Sequence, residues 1–440
     1  MNRLSSKRSI AMADYEVIIV GAGLAGSTAA YCLAKAGVSV LLLERGDAAG
    51  TKNMTGGRFY AHSLERIMPG FAEKAPVERK VLRETISMMT EESCFSIDFN
   101  SQKFGKDNGS ASYTVLRGKF DAWLAEQAEE AGADFVAPTH VDRLLMEGDK
   151  VIGVVAGDET LTADVVILAD GVNSLLAQQL GMKKELAPNQ VGVGVKEVLE
   201  LPPQVINDRF GLNDNEGTAR LFVGEPTNGM VGGGFLYTNK DSISLGLVVT
   251  VDQMMKSPER LPDLMEKFKN HPAIAPLVKD AKLVEYSAHL VPEGGIHMLA
   301  TVQKNNVLLV GDAAGFCLNL GYTIRGMDYA IASGEIAAQT IIDAKEKGAL
   351  SDASFTAYKS NLEQSVILRD MQTYRNAPGF IEHTPRMFNE YPNMIEEIFQ
   401  SLFTVNDQPA VLAMKKFMPY VKRAGLLNLA KDAWKGVKAL

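Results

Sequence analysis

The chain has 440 residues, of which 46% are hydrophobic and 22% charged, and its formal net charge is −8. This composition excludes a disordered, collagen-like or disulfide-dense chain. We find no uninterrupted apolar run of about 18 residues, which excludes a polytopic membrane protein, and the negative charge argues against nucleic-acid binding. The three cysteines are far apart in the sequence and predict neither a zinc site nor a four-cysteine iron–sulfur cluster. Residues 1–13 lack the apolar core of a secretory signal, so we expect a cytoplasmic protein.

The first predicted elements form a βαβ unit. Residues 15–20 (YEVIIV) are a short apolar run typical of a strand buried on both faces. A Gly-x-Gly-x-x-Gly motif at 21–26 leads into a predicted helix, and a second strand at 38–43 ends in an acidic residue. In such a unit the glycines bring the backbone close to a pyrophosphate, the helix N-terminus binds the phosphates, and the acid accepts a ribose hydroxyl. The predicted dinucleotide site comprises Gly21, Ala22, Gly23, Gly26, Glu44 and Arg45.

Two further segments are predicted to contribute to this site. The helix that begins at Arg117 follows a strand-like run, so its arginine can reach the same pyrophosphate or can be a solvated helix-start residue. A buried strand beginning at residue 163 ends in Asp170 and Gly171. Both segments are therefore included in the candidate site.

The last motif decides between FAD and NAD. A strand at 306–310 ends in Gly311 and Asp312, and an aspartate at this position can bind the ribityl hydroxyls of FAD. A helix beginning beyond Gly315 can direct the positive end of its dipole at the flavin, which favours the charge that develops on reduction. NAD has no ribityl chain, so the motif predicts FAD as the cofactor.

The ordered motifs resemble those of glutathione-reductase-type flavoproteins, in the branch that contains aromatic hydroxylases and geranylgeranyl reductases. More specific segments are similar to the electron-transfer-flavoprotein:quinone oxidoreductase family, namely KNMTGG at 52–57, GGGFLY at 232–237, NHPAI at 270–274 and EGG at 293–295. GDAAGF at 311–316 and RGMD at 325–328 resemble the shorter, FixC-like members. The resemblance extends from about residue 15 to residue 344.

The resemblance implies a reaction and a set of partners. It implies an FAD-dependent oxidoreductase that accepts electrons from a two-subunit electron-transfer flavoprotein and passes them to quinone. Longer members carry an appended ferredoxin-like domain with a four-cysteine cluster, which three cysteines cannot supply. The FixC-like arrangement, with a separate ferredoxin-like iron–sulfur subunit, therefore fits better. No metal is expected in the chain, and no catalytic residue is assigned because the flavin carries the redox chemistry.

The resemblance also implies further site residues. Gly56 and Gly57 would lie near the isoalloxazine ring, although Gly-Gly is also an ordinary turn signal, and Arg325 joins the implied FAD site. A glycine backbone can lie directly against a flat quinone ring, because no side chain intervenes. The alternative interpretation of the glycine pairs named next is a bulge in a sheet. The implied quinone residues are Gly232, Gly233, Gly294 and Gly295.

These segments predict an α/β fold with three parts. A discontinuous Rossmann-type FAD-binding domain of the glutathione-reductase type is expected at 14–80, 110–185 and 295–345. An inserted antiparallel β-sheet domain facing the substrate is expected at 186–294, where short apolar runs alternate with Gly and Pro breaks. Residues 346–440 are expected to be helical.

The end of the chain differs in charge from the rest. Residues 411–440 contain seven basic residues and one acid, with apolar residues such as Leu427 and Trp434 between them. This pattern suits an amphipathic segment on an anionic membrane surface, on the cytoplasmic face, close to a lipid-soluble quinone. The alternatives are a docking face for an acidic partner, such as the ferredoxin-like subunit, and a solvated helix.

Two other functions remain open at the level of the sequence. One is a flavin-dependent monooxygenase or a geranylgeranyl-type prenyl reductase, although hydroxylases commonly have a histidine where this chain has Gly315. The other is a non-catalytic flavin-bearing subunit of a larger complex.

Overall fold

The computed structural model of the chain describes residues 13–53, 57–348, 350 and 352–440. The strands, in chain order, are β1 (Tyr15–Val20), β2 (Val40–Leu43), β3 (Arg58–Tyr60), β4 (Val77–Met89), β5 (Cys94–Asn100), β6 (Ser112–Val115), β7 (Asp134–Val136), β8 (Arg143–Glu147), β9 (Lys150–Ala156), β10 (Glu159–Leu168), β11 (Val191–Glu200), β12 (Glu216–Gly224), β13 (Gly232–Thr238), β14 (Ser242–Thr250), β15 (Lys282–Pro292), β16 (Gln303–Lys304), β17 (Val307–Leu309), β18 (Leu318–Asn319) and β19 (Ile324–Arg325).

The α-helices, in chain order, are α1 (Leu24–Lys35), α2 (His62–Ile67), α3 (Arg117–Glu130), α4 (Leu175–Gln179), α5 (Pro203–Phe210), α6 (Val251–Met254), α7 (Leu261–Asn270), α8 (Ala275–Val278), α9 (Gly311–Ala314), α10 (Met327–Glu346), α11 (Asp352–Gln364), α12 (Val366–Thr373), α13 (Ala377–Glu382), α14 (Glu390–Phe403), α15 (Ala413–Ala424) and α16 (Leu426–Ala439).

The first sheet contains the strands of the predicted βαβ unit. Its order is β16-β17-β10-β1-β2-β7, and the pairs from β17 to β7 are parallel. Val17, Ile18 and Ile19 of β1 are completely buried, as a strand covered on both faces requires. Helix α1 packs against α3 and α10, which completes the layered α/β arrangement predicted from the sequence.

The second sheet is larger than the sequence indicated. Its order is β15-β11-β14-β13-β12-β4-β6-β3, with β5 paired to β4, and its pairs are antiparallel except for β4 with β12. Strands β3 and β6, and the start of β4, come from residues that the sequence analysis assigned to the FAD-binding segments 14–80 and 110–185. These stretches therefore contribute strands to both sheets, and the chain crosses between the sheets before residue 116.

The C-terminal region is helical, as predicted. Phe355, Tyr358 and Leu362 of α11 are completely buried in the core of the first sheet, and the Tyr358 hydroxyl donates to the Leu309 carbonyl oxygen at 2.7 Å. Asp432 links helix α16 to the chain around the start of α14, because its carboxylate accepts hydrogen bonds from Arg386 and Tyr391. Across the described residues we find no helix that combines the length and the apolar composition needed to span a bilayer.

Candidate functional site

The carboxyl ends of four adjacent parallel strands meet at one edge of the first sheet. Strands β17, β10, β1 and β2 lie side by side in that order. The amide of Gly21 donates to the Leu43 carbonyl at 2.7 Å, and the amide of Ala169 donates to the Val20 carbonyl at 2.8 Å. Ligands of open α/β sheets bind at this edge. The residues brought together there are those predicted from the sequence, namely Gly21, Glu44, Asp170, Gly171, Gly311 and Asp312.

The glycine motif forms a tight turn with an open outer side. Gly21 has a φ of +104°, and a Cβ atom there would lie 2.4 Å from the Ala169 carbonyl oxygen. A Cβ atom on Gly26 would lie 1.9 Å from the Gly21 carbonyl oxygen, so helix and turn are in direct contact. At Gly23 the nearest atom to such a Cβ is the Asn53 side-chain nitrogen, at 4.0 Å, and no described side chain caps the start of α1. The turn therefore leaves backbone and helix N–H groups accessible to a pyrophosphate.

Glu44 lies beside this turn at the end of β2. Its carboxylate accepts hydrogen bonds from the Ala22 amide at 3.0 Å and from the Gly46 amide at 2.6 Å. A carboxylate has about four acceptor positions, so two of them stay available for the ribose hydroxyls. The neighbouring Arg45 is exposed.

Arg117 is buried at the start of α3 and forms an ion pair. Its guanidinium donates to both carboxylate oxygens of Asp121, at 2.6 and 2.7 Å, and Asp121 also accepts from the Asn53 side chain at 2.7 Å. Burial opposes the charge of Arg117, but Asp121 outweighs it and raises the pKa of the guanidinium. Arg117 lines the cavity described below, which excludes the alternative of a solvated arginine.

Lys183 links two of the strand ends and was not identified from the sequence. Its ammonium group donates to the carbonyl oxygens of Val172 at 2.6 Å and Ala313 at 3.0 Å. Burial lowers the pKa of Lys183 and raises the pKa values of Asp170 and Asp312, while the opposite charges of these residues counteract each shift. The local pattern carries no signal for this role, because Lys183 belongs to an ordinary Gly-Met-Lys-Lys run.

A cavity of about 1010 Å³ extends from the glycine turn to the second sheet. Its walls include Gly23 and Asp312 from the first sheet. Pockets that bind small molecules and cofactors have this scale and this position at the ends of parallel strands. The geometry of the turn, the buried Arg117 and the cavity together fit FAD. Among the described residues, no group of three or more His, Cys, Asp or Glu side chains could hold a metal ion.

The predicted loop near the isoalloxazine ring is described in part. Gly57 lines the cavity, and a Cβ atom there would lie 2.0 Å from the ring of Tyr237. Glycine at this position is thus required by contact with the second sheet. Gly56 lies outside the described residues.

Three of the four predicted quinone residues line the cavity. Gly232, Gly233 and Gly294 are in its wall, whereas Gly295 is not among the lining residues. A Cβ atom on Gly232 would lie 2.1 Å from the carbonyl oxygen of Val248 on the adjacent strand. Packing between strands therefore accounts for this glycine without reference to a ligand.

Arg325 lies in the cavity wall within a network of ion pairs. Its guanidinium donates to Asp328 at 2.8 Å and to Asp370, and it stacks on the ring of Tyr329 at 4.4 Å. His62 also contacts Asp328, at 3.0 Å. The guanidinium is therefore held by protein carboxylates, which explains its position independently of a cofactor.

The long helix predicted beyond Gly315 begins later than expected. The short helix α9 comes first, and the β18–β19 hairpin separates it from α10, which begins at Met327. Gly326 and Met327 line the cavity, so the start of α10 faces the site. The helix whose N-terminus faces the cavity is therefore α10, and not one that begins directly after Gly315.

Two protein-family models match separate parts of the chain. Residues 14–318 match the model of an FAD binding domain, and residues 377–440 match the C-terminal domain of the ETF-QO/FixC family. The first match covers more than half of the chain and shows that it binds FAD.

Two relatives from Escherichia coli (strain K12) are similar over almost their full lengths. The probable electron transfer flavoprotein-quinone oxidoreductase YdiS is 54% identical over 426 residues, which are 97% of this chain and 99% of the relative. Protein FixC is 50% identical over 428 residues, with the same coverage. These identities show that the protein is an FAD-dependent electron-transfer oxidoreductase.

Solved structures share the fold at much lower sequence identity. A geranylgeranyl bacteriochlorophyll reductase-like protein from Thermoplasma acidophilum superposes with a TM-score of 0.70 at 23% identity, covering 94% of this chain and 99% of that one. The flavin-dependent brominase Bmp2 superposes with a TM-score of 0.58 at 17% identity, covering 96% and 93%. Fold, site and relatives lead to the same assignment: the chain belongs to the electron transfer flavoprotein-quinone oxidoreductase/FixC family.

Proposed function

We propose that the protein accepts electrons from a two-subunit electron transfer flavoprotein and passes them to quinone, together with a ferredoxin-like subunit. The observation that carries this proposal is the continuous cavity that joins the FAD-binding edge of the first sheet to the glycine-lined strand β13. FAD, when bound, supplies the redox chemistry, and the protein positions it. The name of the relative YdiS, a probable electron transfer flavoprotein-quinone oxidoreductase, supports the donor and the acceptor.

The lining of the cavity suits a quinone ring. Val248, Val291 and Phe388 contribute apolar surface, and the Gly232–Gly234 backbone contributes polar groups without side chains. Apolar walls with a few fixed polar groups are typical of small-molecule sites.

The cysteines support a separate iron–sulfur subunit. Cys32, Cys94 and Cys317 are free thiols distributed over the fold. A cluster that takes part in the reaction would therefore have to come from a partner.

The proposal is tested with the FAD-loaded protein under anaerobic conditions. Reduced electron transfer flavoprotein should bleach the FAD absorbance, and a soluble quinone analogue should restore it while forming quinol. FAD-free protein is the control. Rapid NADPH oxidation by the isolated protein in air would favour a monooxygenase instead. Flavin reduction that no quinone reverses, even with the ferredoxin-like subunit present, would favour a non-catalytic flavin subunit.

We also propose that the C-terminal helices bind the membrane, as a peripheral contact on the cytoplasmic face. Leu427 and Trp434 are seven positions apart on α16, share one face of the helix and are 87% and 61% exposed. Asp432, the acid of this segment, pairs inward with Arg386, so the basic residues around it are not neutralised by it. Exposed apolar and basic side chains together favour an anionic bilayer surface.

The membrane proposal predicts a loss of vesicle binding on removing the apolar side chains. The double substitution Leu427→Ser and Trp434→Ser should weaken binding to anionic vesicles at least tenfold, because each buried apolar side chain contributes about 1.5–3 kcal/mol. Ile97→Ser is the matched control, since Ile97 is 63% exposed but belongs to β5 and not to α15 or α16. Co-sedimentation measures the binding. Equal binding by wild type and the double variant would contradict the proposal.

A further inference from the structure

The side chain of Glu293 lies in the cavity wall directly after β15. Its backbone amide donates to the Gln190 carbonyl at 2.8 Å, and the amide of Gly294 donates to the same oxygen at 3.1 Å, so the backbone here is fixed. The carboxyl group accepts a hydrogen bond from the Thr250 hydroxyl at 3.4 Å. Among the described residues it forms no ion pair.

The neighbouring strand leaves space for this carboxyl group. A Cβ atom on Gly192 of β11 would lie 3.0 Å from the Glu293 carboxyl carbon and 3.1 Å from one of its oxygens. Any other residue at position 192 would therefore crowd the carboxyl group. The carboxyl group therefore lies over the paired residues Gly192 of β11 and Thr250 of β14, and Glu293 lines the cavity.

The electrostatic surroundings favour the protonated form of Glu293. Burial raises the pKa of Glu293 from 4.5 to about 7, and the Thr250 hydrogen bond opposes this only in part. The cavity wall around Glu293 also contains the titratable groups Asp252, His297, Asp312, Cys317, Arg375 and Glu382.

None of these groups neutralises the carboxylate. Asp252, Asp312 and Glu382 are themselves acids, and among the described residues the Arg375 guanidinium forms no ion pair with Glu293. His297 directs its Nε2 to the Arg375 carbonyl oxygen at 2.9 Å. Burial raises the pKa of the Cys317 thiol, and the charges of Asp312 and Glu293 raise it further. A carboxyl group without an ion-pair partner, in a partly apolar wall, is suited to act as a proton donor near neutral pH.

We propose that Glu293 donates a proton to the quinone during its reduction in this cavity. This inference rests on the proposed function. Reduction of a quinone to a quinol takes two electrons, which come from reduced FAD, and two protons. The O–H bond of the Glu293 carboxyl breaks as one O–H bond of the quinol forms, and the second proton comes from solvent. Oxidation of the reduced flavin releases two protons to solvent. The Glu293 carboxylate then takes up one proton from solvent and returns to its protonated form.

The test compares an acceptor that takes up protons with one that does not. FAD-loaded wild type and Glu293→Gln are reduced with dithionite and mixed with a quinone analogue or with ferricenium, a one-electron acceptor that takes no proton. We expect quinone reduction by Glu293→Gln to fall at least about 100-fold, with loss of the inflection near neutral pH. The ferricenium rate should stay within about twofold. Glu129→Gln is the control, because Glu129 is exposed on α3 and does not line the cavity.

A second measurement needs no turnover. Infrared spectroscopy of the quinone-free protein should show the C=O stretch of a protonated carboxyl that titrates near neutral pH and is missing in Glu293→Gln. Glu293→Asp should restore part of the quinone rate, because it keeps an ionisable group.

The outcomes separate this inference from the proposed function. A wild type that reduces quinone, together with a Glu293→Gln variant of equal rate and pH profile, overturns the inference alone. Equal loss of the quinone and ferricenium rates would also overturn it, because Glu293 would then act on the cofactor. A wild type that reduces ferricenium but no quinone overturns both.

Discussion

Lys183 shows how one buried charge can position two loops of the site. Its ammonium group lies between the loop after β10 and the short helix α9, and it donates to the carbonyl oxygens of Val172, Asp312 and Ala313. The loop after β10 carries Asp170, and α9 carries Asp312. Lys183 is therefore a positioning residue for both aspartates.

Removing this ammonium group should loosen the site. Lys183→Met keeps most of the side-chain volume but leaves buried carbonyl groups without donors, at a cost of about 1–3 kcal/mol in the free energy of unfolding. FAD should bind more weakly as well. Urea denaturation of the FAD-free protein and fluorescence titration with FAD measure the two effects. Lys184→Met, at the exposed neighbouring position, is the control. An equal change in both variants would contradict the positioning role.

The raised pKa of Glu293 makes a stability prediction that does not depend on quinone. The pKa of Glu293 rises from 4.5 to about 7 on folding. The contribution of the protonated side chain to the stability of the folded protein is therefore complete below pH 4.5 and is lost as the pH rises through 7. Glu293→Gln cannot ionise, so it should gain stability over wild type across that window, by up to about 3 kcal/mol at pH 8. Urea denaturation at pH 4.5 and pH 8 tests this. A difference that does not change with pH would contradict it.

At the scale of elements, contact between α1 and the turn before it depends on Gly26. A Cβ atom at this position would collide with the Gly21 carbonyl oxygen. We expect Gly26→Ala to lower the free energy of unfolding by about 1–3 kcal/mol, since the helix must move away from the turn.

Gly118→Ala is the matched control within another helix. Gly118 is exposed on α3, and a Cβ atom on it would meet no described atom within 4 Å outside its own part of the helix. Alanine should therefore stabilise this helix by up to about 1 kcal/mol. Urea denaturation of the FAD-free variants gives both values. Equal effects of the two substitutions would show that helix propensity, and not the contact with Gly21, governs position 26.

The elements differ in how well the sequence predicts them. Strands β1 and β17 were predictable, because Val17–Val20 of β1 and all of β17 are buried on two faces and are apolar. Strand β4 was missed because it contains Glu78 and Arg79, residue types that are usually exposed. In the structure both are buried, and Arg79 donates to the Asn239 carbonyl and the Asn207 side chain, each at 2.6 Å. Such partners, distant in sequence, are not visible in a local pattern.

The site shows the same limit. The glycine motif and the strand-end acids were predictable, because backbone turns and phosphate binding restrict the residue types at those positions. Lys183 and Glu293 act through neighbours from other segments, so their surroundings could not be inferred. The Arg117–Asp121 pair has helical spacing, but only the fold indicates that it is buried.

At the scale of the whole molecule, the strands of the two sheets alternate along the chain. Strand β4 lies between β12 and β6 in the second sheet, although it precedes β12 by more than a hundred residues. The first sheet in turn takes β17 from beyond the end of the second sheet. Neither sheet is therefore formed by one continuous segment.

This arrangement predicts that the central segment does not fold by itself. A fragment of residues 186–294 keeps β11 to β15 but lacks β4, so one side of β12 would be an unpaired edge. We expect the fragment to be unfolded or aggregated in circular dichroism and NMR spectra, while the full chain unfolds cooperatively. A soluble fragment with a dispersed NMR spectrum would show that the predicted domain 186–294 is autonomous.

The order of strands in the first sheet has a consequence for biosynthesis. Strand β1 is among the first segments to leave the ribosome, whereas β17 and the start of α10, which complete the same binding edge, are made after most of the chain. A nascent chain that stops before residue 307 would present the glycine turn without Asp312. A flavin site that includes Asp312 can therefore form only after residue 312 has been made, and until then the apolar strands of the unfinished sheet are exposed to aggregation.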